Sequence, residues 1–225
     1  MPVAVAALSQ CTLFSGISSQ LVQQAADSMR LLPLRRREVL ADAAASLPGL
    51  GVVLSGALQA VDETADGREV AVETVGVNEA FGFAELLAAR SLPVTWMAAA
   101  AGTTVGLLSR EPAMALLHQP EVALRAAQSL AQRVCDTRGL QKVLTIHPVS
   151  ARVCAWLNLQ RTPGKGVVQV PTHAELAWQL NTTRESVTRV FQRLQADGVI
   201  QRDGDIWQLA GSEVLEDWIK NRIRE

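Results

Sequence analysis

The sequence predicts an α+β protein made of an N-terminal β-roll of the jelly-roll type, one long helix and a C-terminal winged helix-turn-helix. Three patterns support this fold class. Short segments punctuated by glycine run from about residue 34 to residue 108, and short, regularly spaced strands are typical of sandwiches and jelly rolls. A long helical pattern follows, and after it come two short helical patterns and a hairpin. We assign residues 1–120, 121–147 and 148–225 to these three parts.

The composition is that of a globular chain without a membrane segment. The 225 residues are 48% hydrophobic and 19% charged, which is ample material for a core. No apolar run reaches the roughly 18–20 residues of a membrane helix, and the first ten residues lack the basic region of a secretory signal. We therefore expect a cytoplasmic protein with no membrane partner. The net charge of −1 does not by itself indicate nucleic-acid binding, so the local arrangement of charges has to carry that inference.

The N-terminal part begins with a helical pattern at residues 21–31 and continues as strands. Residues 51–61 have the pattern of two strands joined at Ser55-Gly56. Residues 65–68, Ala-Asp-Gly-Arg, form a predicted hairpin turn, which is followed by the strictly alternating residues 69–75. Together these segments predict an antiparallel β-structure.

The long helix is predicted for residues 121–146 and is broken by His147-Pro148. Its apolar residues approximate one continuous stripe: Leu124, Ala127, Ala131, Val134, Leu140 and Leu144. On an isolated helix such a stripe would be only a core-facing side. A helix of about 26 residues is ~39 Å long, more than a small domain needs internally. This length favours a coiled-coil-like seam between two copies of the chain.

Residues 171–200 have the pattern of two short helices joined by a tight turn. Thr172 can cap the first helix, with Glu175 as its capping-box partner. Thr183 or Thr182 can cap the second helix, which runs to about Ala196. The residues expected to pack inward are Leu176, Ala177 and Leu180 in the first helix and Val187, Val190, Phe191 and Leu194 in the second.

The opposite face of the second helix carries Arg184, Glu185, Thr188 and Arg189. Arginine bonds bidentately to guanine and glutamate accepts from cytosine, so this face suits a helix that enters the major groove. The blander interpretation is a helical pair in a core with a solvated charged face. A hairpin over residues 199–209, turning at Asp203-Gly204, follows the helices and favours a winged helix.

In the segments THAELAWQLN and RESVTR the chain resembles the cyclic-AMP receptor protein / fumarate-nitrate reductase regulator (CRP/FNR) family of bacterial transcription factors. The resemblance implies that Arg184 and Arg189 contact guanines of a TGTGA-like half-site and that Glu185 reads the complementary cytosine. Thr188 stands where relatives often have glycine or serine. The full set of expected DNA-contacting residues is Thr172, His173, Thr183, Arg184, Glu185, Thr188, Arg189 and Arg193.

The resemblance also implies the remaining architecture and the partners. The N-terminal part would be a double-stranded β-helix, similar to cyclic-nucleotide-binding domains, that senses an effector. The expected partners are a palindromic operator in double-stranded DNA, a second copy of the chain and RNA polymerase. In a homodimer the two recognition helices would lie one DNA turn apart, about 34 Å.

The sequence gives evidence against cyclic AMP as the effector. Cyclic-nucleotide receptors of the family hold the ribose with the glutamate of a Gly-Glu-Leu motif and the phosphate with a later Arg-Ser. Aligned on Gly82 and Trp96, this chain has Phe83 in place of the glutamate and Pro93-Val94 in place of Arg-Ser. A buried anion without a cation carries a large energetic penalty. A shifted alignment restores Glu85 but no arginine, unless Arg90 substitutes from the loop.

The candidate effector pocket combines this cassette with polar residues of the long helix, which in the family face the effector and the partner subunit. Its members are Phe81, Gly82, Phe83, Glu85, Val94, Thr95, Asp136, Thr137 and Arg138. An apolar pocket formed by Phe81, Phe83, Leu92, Val94 and Trp96 would suit an uncharged organic ligand, or these residues form a filled core with no effector.

Metal cofactors are constrained by the few possible ligands. An iron–sulfur cluster needs four cysteine ligands in the oxygen-sensing branch of the family, three of them near the N-terminus. The chain has three cysteines in all, and only Cys11 lies there. Haem stays open as a cofactor of a gas or redox sensor. Its axial ligand would be His118 or His147, with Cys11 and Met97 as further candidates, and Cys135 is a candidate for redox chemistry between two subunits.

Two other function classes are less well supported. The chain has no GxxxxGK loop, no HExxH, no CxxC and no clustered catalytic set, so we expect that it is not an enzyme. A winged helix that binds another protein is the remaining alternative. The outward charges of Arg184, Glu185 and Arg189 disfavour it, because the centres of protein interfaces are depleted of charged residues.

Overall fold

The computed structural model describes residues 3–45, 47–63, 67, 69–88, 94–162, 164–204 and 206–223, and structural statements refer to these. The chain divides into two compact units, Met1–Gln132 and Arg133–Glu225. None of the described helices is both long and apolar enough to cross a membrane.

The N-terminal unit is built around two antiparallel sheets, with strand orders β1-β8-β3-β6 and β2-β7-β4-β5. The strands are β1 (Arg30–Leu34), β2 (Val39–Ala41), β3 (Gly49–Ser55), β4 (Leu58–Glu63), β5 (Glu69–Val75), β6 (Ala80–Phe81), β7 (Thr95–Ala98) and β8 (Thr103–Ser109). The helices are α1 (Val5–Ser9), a 3-10 turn (Thr12–Phe14), α2 (Ser19–Ser28), α3 (Phe83–Leu87), α4 (Arg110–Leu117) and the first half of the long α5 (Pro120–Leu144). The residues of α5 from Arg133 onward belong to the C-terminal unit. The predicted jelly roll is confirmed.

Individual elements of this unit follow the predicted pattern with one correction. The helical pattern at residues 21–31 extends too far, because α2 ends at Ser28 and Leu31 pairs with Gly106 of β8. Pairing with a distant strand is a tertiary effect that local periodicity does not contain. Strands β4 and β5 pair as the predicted hairpin. In its turn Ala65, Asp66 and Arg68 lie outside the described residues.

Two apolar clusters form the core of the N-terminal unit. One lies between the sheets and contains Phe81 and Trp96, whose ring centroids are 5.3 Å apart. The other packs the helices against the outer face of the β1-β8-β3-β6 sheet, and Phe83 belongs to it. Inward and outward residues of the strands therefore supply two different clusters, as alternation along a strand requires.

The C-terminal unit is a winged helix-turn-helix. Its elements are α6 (Val149–Leu159), β9 (Val167–Gln169), α7 (His173–Gln179), α8 (Arg184–Ala196), β10 (Ile200–Asp203), β11 (Ile206–Leu209) and α9 (Ser212–Ile223). The predicted hairpin is β10-β11, in which Asp203 is paired with Ile206; Asp205, in its turn, lies outside the described residues. Strand β9, which pairs with β11, completes a sheet that the sequence pattern did not predict.

Helix α5 has one apolar face that its own chain leaves exposed. Val122 and Ala126 are buried, whereas Leu124 is 60% exposed and Val134 is 47% exposed. Ala127 and Ala131, which lie between these two on the same face, are exposed as well. We call Leu124, Ala127, Ala131 and Val134 the α5 stripe. Most of the stripe predicted from the sequence is therefore available to a partner and is not core.

Glycine is required where the chain crosses from one sheet to the other between β3 and β4. Gly56 has φ +73°, and a Cβ added there would lie 2.4 Å from Thr103 Oγ1 and 2.7 Å from Thr103 Cα. Gly102 has a similar φ of +70°, but no heavy atom lies within 4 Å of its added Cβ. A side chain at Gly102 would therefore meet only backbone strain, whereas a side chain at Gly56 would meet both backbone strain and steric overlap.

We expect Gly56→Ala to lower the free energy of unfolding by about 2–5 kcal/mol, the sum of left-handed backbone strain and overpacking. Gly102→Ala carries only the strain and should cost about 1–2 kcal/mol. Urea denaturation followed by circular dichroism measures both. Equal losses in the two variants would contradict the overlap with Thr103.

Candidate nucleic-acid interface

Helix α7 starts with the predicted capping box. Thr172 Oγ1 accepts from the backbone N–H of Glu175 at 3.3 Å, and the Glu175 carboxylate accepts from the backbone N–H of Thr172 at 2.9 Å. Leu176, Ala177 and Leu180 are buried as predicted. The cap and the buried residues together determine where the helix begins and which face it turns to the core.

Helix α8 is capped by Thr183, whose Oγ1 accepts from the backbone N–H of Ser186 at 3.2 Å. Its predicted inward residues are all buried: Val187, Val190, Phe191 and Leu194. Packing of this stripe turns the other face of the helix outward. Arg184, Glu185, Arg189 and Arg193 are exposed there.

The outward arginines of α8 are available to an external ligand. Within the described part of the chain, neither Arg184 nor Arg189 forms an ion pair with a carboxylate. An unpaired guanidinium presents a planar fork of donors, which matches the O6 and N7 acceptors of guanine. The exposed surface of α8 therefore has the chemistry of a base-reading helix.

Thr188 is less outward than its position in the pattern predicts. It is half-buried, and its Oγ1 lies 2.9 Å from Nδ1 of His173 on α7. The His173 ring also packs on Phe191, with centroids 4.8 Å apart. Burial lowers the pKa of His173 below its ordinary value, and the charges of Arg184 and Arg202 lower it further.

The wing adds a basic residue that sequence analysis did not select. Arg202 on β10 is exposed and lies opposite Trp207 on β11. Its guanidinium carbon is 5.8 Å from the Trp207 ring centroid, and its Nε donates to the Gly204 carbonyl at 3.1 Å. Trp207 in turn packs edge-on against Phe191, at 5.0 Å. The pairing of Arg202 with Trp207 across the predicted hairpin is the pattern in the sequence from which this basic residue could have been selected.

A buried arginine, which sequence analysis also did not select, holds the turn of the helix-turn-helix. Arg152 on α6 is 6% exposed. Its Nη1 donates to the carbonyls of Leu180 at 2.6 Å and Asn181 at 3.2 Å, and its Nε donates to the carbonyl of Ile146 at 3.1 Å. Leu180 and Asn181 form the turn between α7 and α8. Nothing in the local sequence distinguishes this arginine from a surface residue.

The cassette residues in the N-terminal unit are mostly packed. Phe81 and Trp96 are buried between the sheets, while Phe83 is buried in the other cluster. Glu85 accepts from the Trp96 indole N–H at 2.9 Å, and Thr95 accepts from the backbone N–H of Ala43 at 3.2 Å. The aromatic residues therefore do not line one common pocket.

Backbone geometry fixes the remaining cassette position. Gly82 has φ +92°, and a Cβ there would lie 2.5 Å from the Gly49 carbonyl oxygen. Val94 is half-buried and packs against the cluster between the sheets. Three further residues of the predicted effector site lie outside the described residues: Arg90, Leu92 and Pro93.

The polar residues assigned to the effector pocket on α5 are helical. Asp136, Thr137 and Arg138 are exposed and lie within α5, which continues to Leu144. The charge of Asp136 acts on Arg133, whose pKa is lowered by burial and partly restored by that carboxylate.

Of the candidate haem ligands, the two histidines are exposed, whereas Cys11 and Met97 are buried. His118 is exposed at the end of α4, and His147 is exposed with its Nδ1 3.5 Å from Arg152 Nη2. Cys11 is buried, and burial raises the pKa of its thiol to about 11, so it stays protonated. A haem ligand has to face a pocket that takes the macrocycle, and the exposure of His118 and His147 does not favour such a site.

Comparison with known proteins supports the assignment of the C-terminal unit. Residues 151–217 match the family model of the Crp-like helix-turn-helix domain. The chain is 27% identical over 169 residues to the probable transcriptional regulator flp of Lacticaseibacillus casei, covering 74% of this chain and 77% of that protein.

Solved structures share the fold over most of the chain. The catabolite activator protein of Thermus thermophilus has a TM-score of 0.52 at 25% identity, covering 93% of this chain and 99% of that one. FixK2 of Bradyrhizobium japonicum has a TM-score of 0.66 at 20% identity, covering 84% of this chain and 96% of that one.

We expect Arg152→Leu to lower the free energy of unfolding of the C-terminal unit by about 3–5 kcal/mol, because buried carbonyls lose a charged donor. Arg152→Lys should recover part of this loss. Tryptophan fluorescence during urea unfolding follows mainly this unit, which contains four of the five tryptophans of the chain: Trp156, Trp178, Trp207 and Trp218. The matched control is Arg193→Leu on the exposed face of α8, expected within about 0.5 kcal/mol of wild type. A wild-type midpoint for Arg152→Leu would contradict the assigned role.

Proposed function

Because the chain is a CRP/FNR-type transcription regulator with a helix-turn-helix DNA-binding domain, we propose that it binds an inverted repeat of TGTGA-like half-sites as a homodimer, under control of an effector other than cyclic AMP. The observation that carries the proposal is the exposed row of Arg184, Glu185 and Arg189 along α8. Arginine and glutamate in such a row offer donors for guanine and an acceptor for cytosine.

The remaining expected contacts surround this row. Thr172 and Thr183 lie at the N-caps of α7 and α8, Thr188 and His173 lie between the two helices, and Arg193 is one helical turn beyond Arg189. Arg193 is assigned to phosphate, so its effect would be independent of base sequence.

Homodimer formation is supported by the α5 stripe. Leu124, Ala127, Ala131 and Val134 recur at intervals of three and four residues, the spacing of a coiled-coil seam. Single exposed apolar residues are ordinary, but a contiguous row on one helix face marks an interaction surface. The small alanines would let two copies of α5 approach closely.

The charges of the cassette disfavour an anionic effector. Phe83 is buried in an apolar cluster and Glu85 is occupied by the Trp96 indole. A cyclic phosphate needs a cationic partner at this place, and in the alignment on Gly82 and Trp96 the chain has Pro93-Val94 where cyclic-nucleotide receptors have Arg-Ser. This composition supports an effector other than cyclic AMP.

An effector-independent regulator is the second candidate, favoured by the packing of Phe81 against Trp96 between the sheets. Haem-based gas or redox sensing is less well supported, since His118 and His147 are both exposed. RNA polymerase remains a proposed partner by analogy with the family alone.

We expect Arg184→Ala and Arg189→Ala each to weaken binding to a TGTGA-N6-TCACA duplex by about 1–3 kcal/mol and to relax discrimination at one base pair of each half-site. Fluorescence anisotropy with the duplex and with single-base variants measures both effects. Arg193→Ala is the matched control and should weaken cognate and random DNA alike.

Two outcomes of this titration separate the alternatives. Equal losses on cognate and random DNA for Arg184→Ala would make that residue a phosphate contact and would contradict base reading. The titration is repeated with added haem while the absorption spectrum is recorded. A Soret band accompanied by changed affinity would favour the haem alternative over the proposed one.

We expect Leu124→Glu to convert a dimer into a monomer and to weaken operator binding, because a charge in an apolar seam lacks a partner. Sedimentation velocity measures the association state. Val72→Glu, at a residue of β5 that is also about half exposed, is the control and should remain dimeric. A dimeric Leu124→Glu variant with wild-type affinity would rule out the α5 stripe as the seam.

A further inference from the structure

One hydrogen bond joins the two helices of the DNA-binding motif at its outer surface. Nδ1 of His173, the first residue of α7, lies 2.9 Å from Oγ1 of Thr188 on α8. The imidazole is held in place by its contact with Phe191, 4.8 Å between centroids. Both side chains are half-buried, so each retains a side that a ligand can reach.

The direction of this bond decides what Thr188 can offer to a base. A hydroxyl has one proton and two lone pairs. When Nδ1 of a neutral His173 accepts from Thr188, the hydroxyl keeps only acceptor capacity toward the groove. A protonated His173 must donate from Nδ1. Thr188 Oγ1 then accepts, and its own proton is free to point outward.

Two arginines lie close enough to His173 to affect its protonation. Arg184 at the start of α8 and Arg202 on β10 both act on it, and together with burial they keep its pKa below the ordinary value. On its own helix the Glu175 carboxylate is hydrogen-bonded to Thr172. DNA would bring phosphate charges against Arg184 and Arg202, and anions near a histidine favour its charged form.

We propose that His173 is a proton-linked positioning residue, which takes up a proton when DNA binds and thereby turns the Thr188 hydroxyl into a donor toward the base edge. This inference rests on the proposed DNA binding and assigns a regulation to that surface. The chemistry recognised at Thr188 then changes with pH. Low pH favours bases that present acceptors in the major groove, namely guanine O6 and N7 or thymine O4. At high pH the hydroxyl can only accept, so it is restricted to bases that present donors, namely the amino groups of cytosine and adenine.

The sign of the linkage follows from the uptake of a proton. Affinity for DNA rises as pH falls through the pKa of the complex and levels off below the pKa of the free protein. One proton bound per subunit limits the slope to about tenfold per pH unit per subunit. The dimer contributes two such sites.

The test uses the full-length protein and the TGTGA-N6-TCACA duplex, with each half-site base pair changed in turn, between pH 5.5 and 8. For wild type we expect Kd to decrease at least about threefold for each unit by which the pH is lowered, in the range between the His173 pKa of the complex and that of the free protein. His173→Gln should remove that dependence. Thr188→Val should keep the pH dependence of overall affinity but lose the pH-dependent change in base preference. Thr188→Ser should behave as wild type because the hydroxyl is retained.

Nuclear magnetic resonance gives a second readout, which is recorded on the free protein and then with the duplex. The chain has three histidines, so the titration of His173 can be assigned with His173→Gln. We expect the pKa of His173 to lie below the ordinary value of a histidine in the free protein and to rise when the duplex is bound. Thr188→Val should shift the Nδ1 resonance.

Specific outcomes overturn the proposal. A His173→Gln profile parallel to wild type, or a base preference that does not change with pH in wild type, refutes it while leaving DNA binding intact. Failure to bind any of the duplexes at any pH instead refutes the proposed function. In that case an unshifted Nδ1 resonance in Thr188→Val also refutes the His173–Thr188 pair.

Discussion

The buried guanidinium of Arg152 is the interaction on which the DNA-binding unit depends. A helix leaves carbonyl groups without partners at its C-terminal end, and a tight turn between two helices adds more. Arg152 donates to two of them, Leu180 and Asn181, and with a third bond it holds Ile146 in the segment between α5 and α6. One planar cation therefore ties this segment to the turn that sets the direction of α8. An apolar residue of the same size would leave these carbonyls buried and unpaired.

The outer surface of the unit is connected in a comparable way. His173, Phe191 and Trp207 form a chain of ring contacts from α7 through α8 to the wing, and Arg202 lies over the last ring. These rings are rigid and have few rotatable bonds, so the exposed donors around them are held at small entropic cost. The same contacts place cations close to His173, which links its protonation to the presence of an anion. The ring contacts of His173, Phe191 and Trp207 therefore determine both the shape of this surface and the charges around His173.

The N-terminal unit has a filled interior between its two sheets. Phe81 and Trp96 fill space between the sheets, and the carboxylate nearest to them, Glu85, is satisfied by the indole. A polar group with a partner gains little from a new ligand, and an occupied core admits one only by rearranging. Control by a small molecule would therefore require the Phe81–Trp96 pair to move, or would act elsewhere.

The sequence by itself determined the elements whose causes are local. The capping box of Thr172, the inward stripe of α8 and the β10-β11 hairpin follow from patterns within about ten residues, and so does the outward direction of Arg184. Tertiary structure alone decided the rest. Strand β9, the burial of Arg152 and the His173–Thr188 bond join residues far apart in the chain. Their partners come together only after apolar packing has fixed the elements, so no local pattern of the sequence contains them.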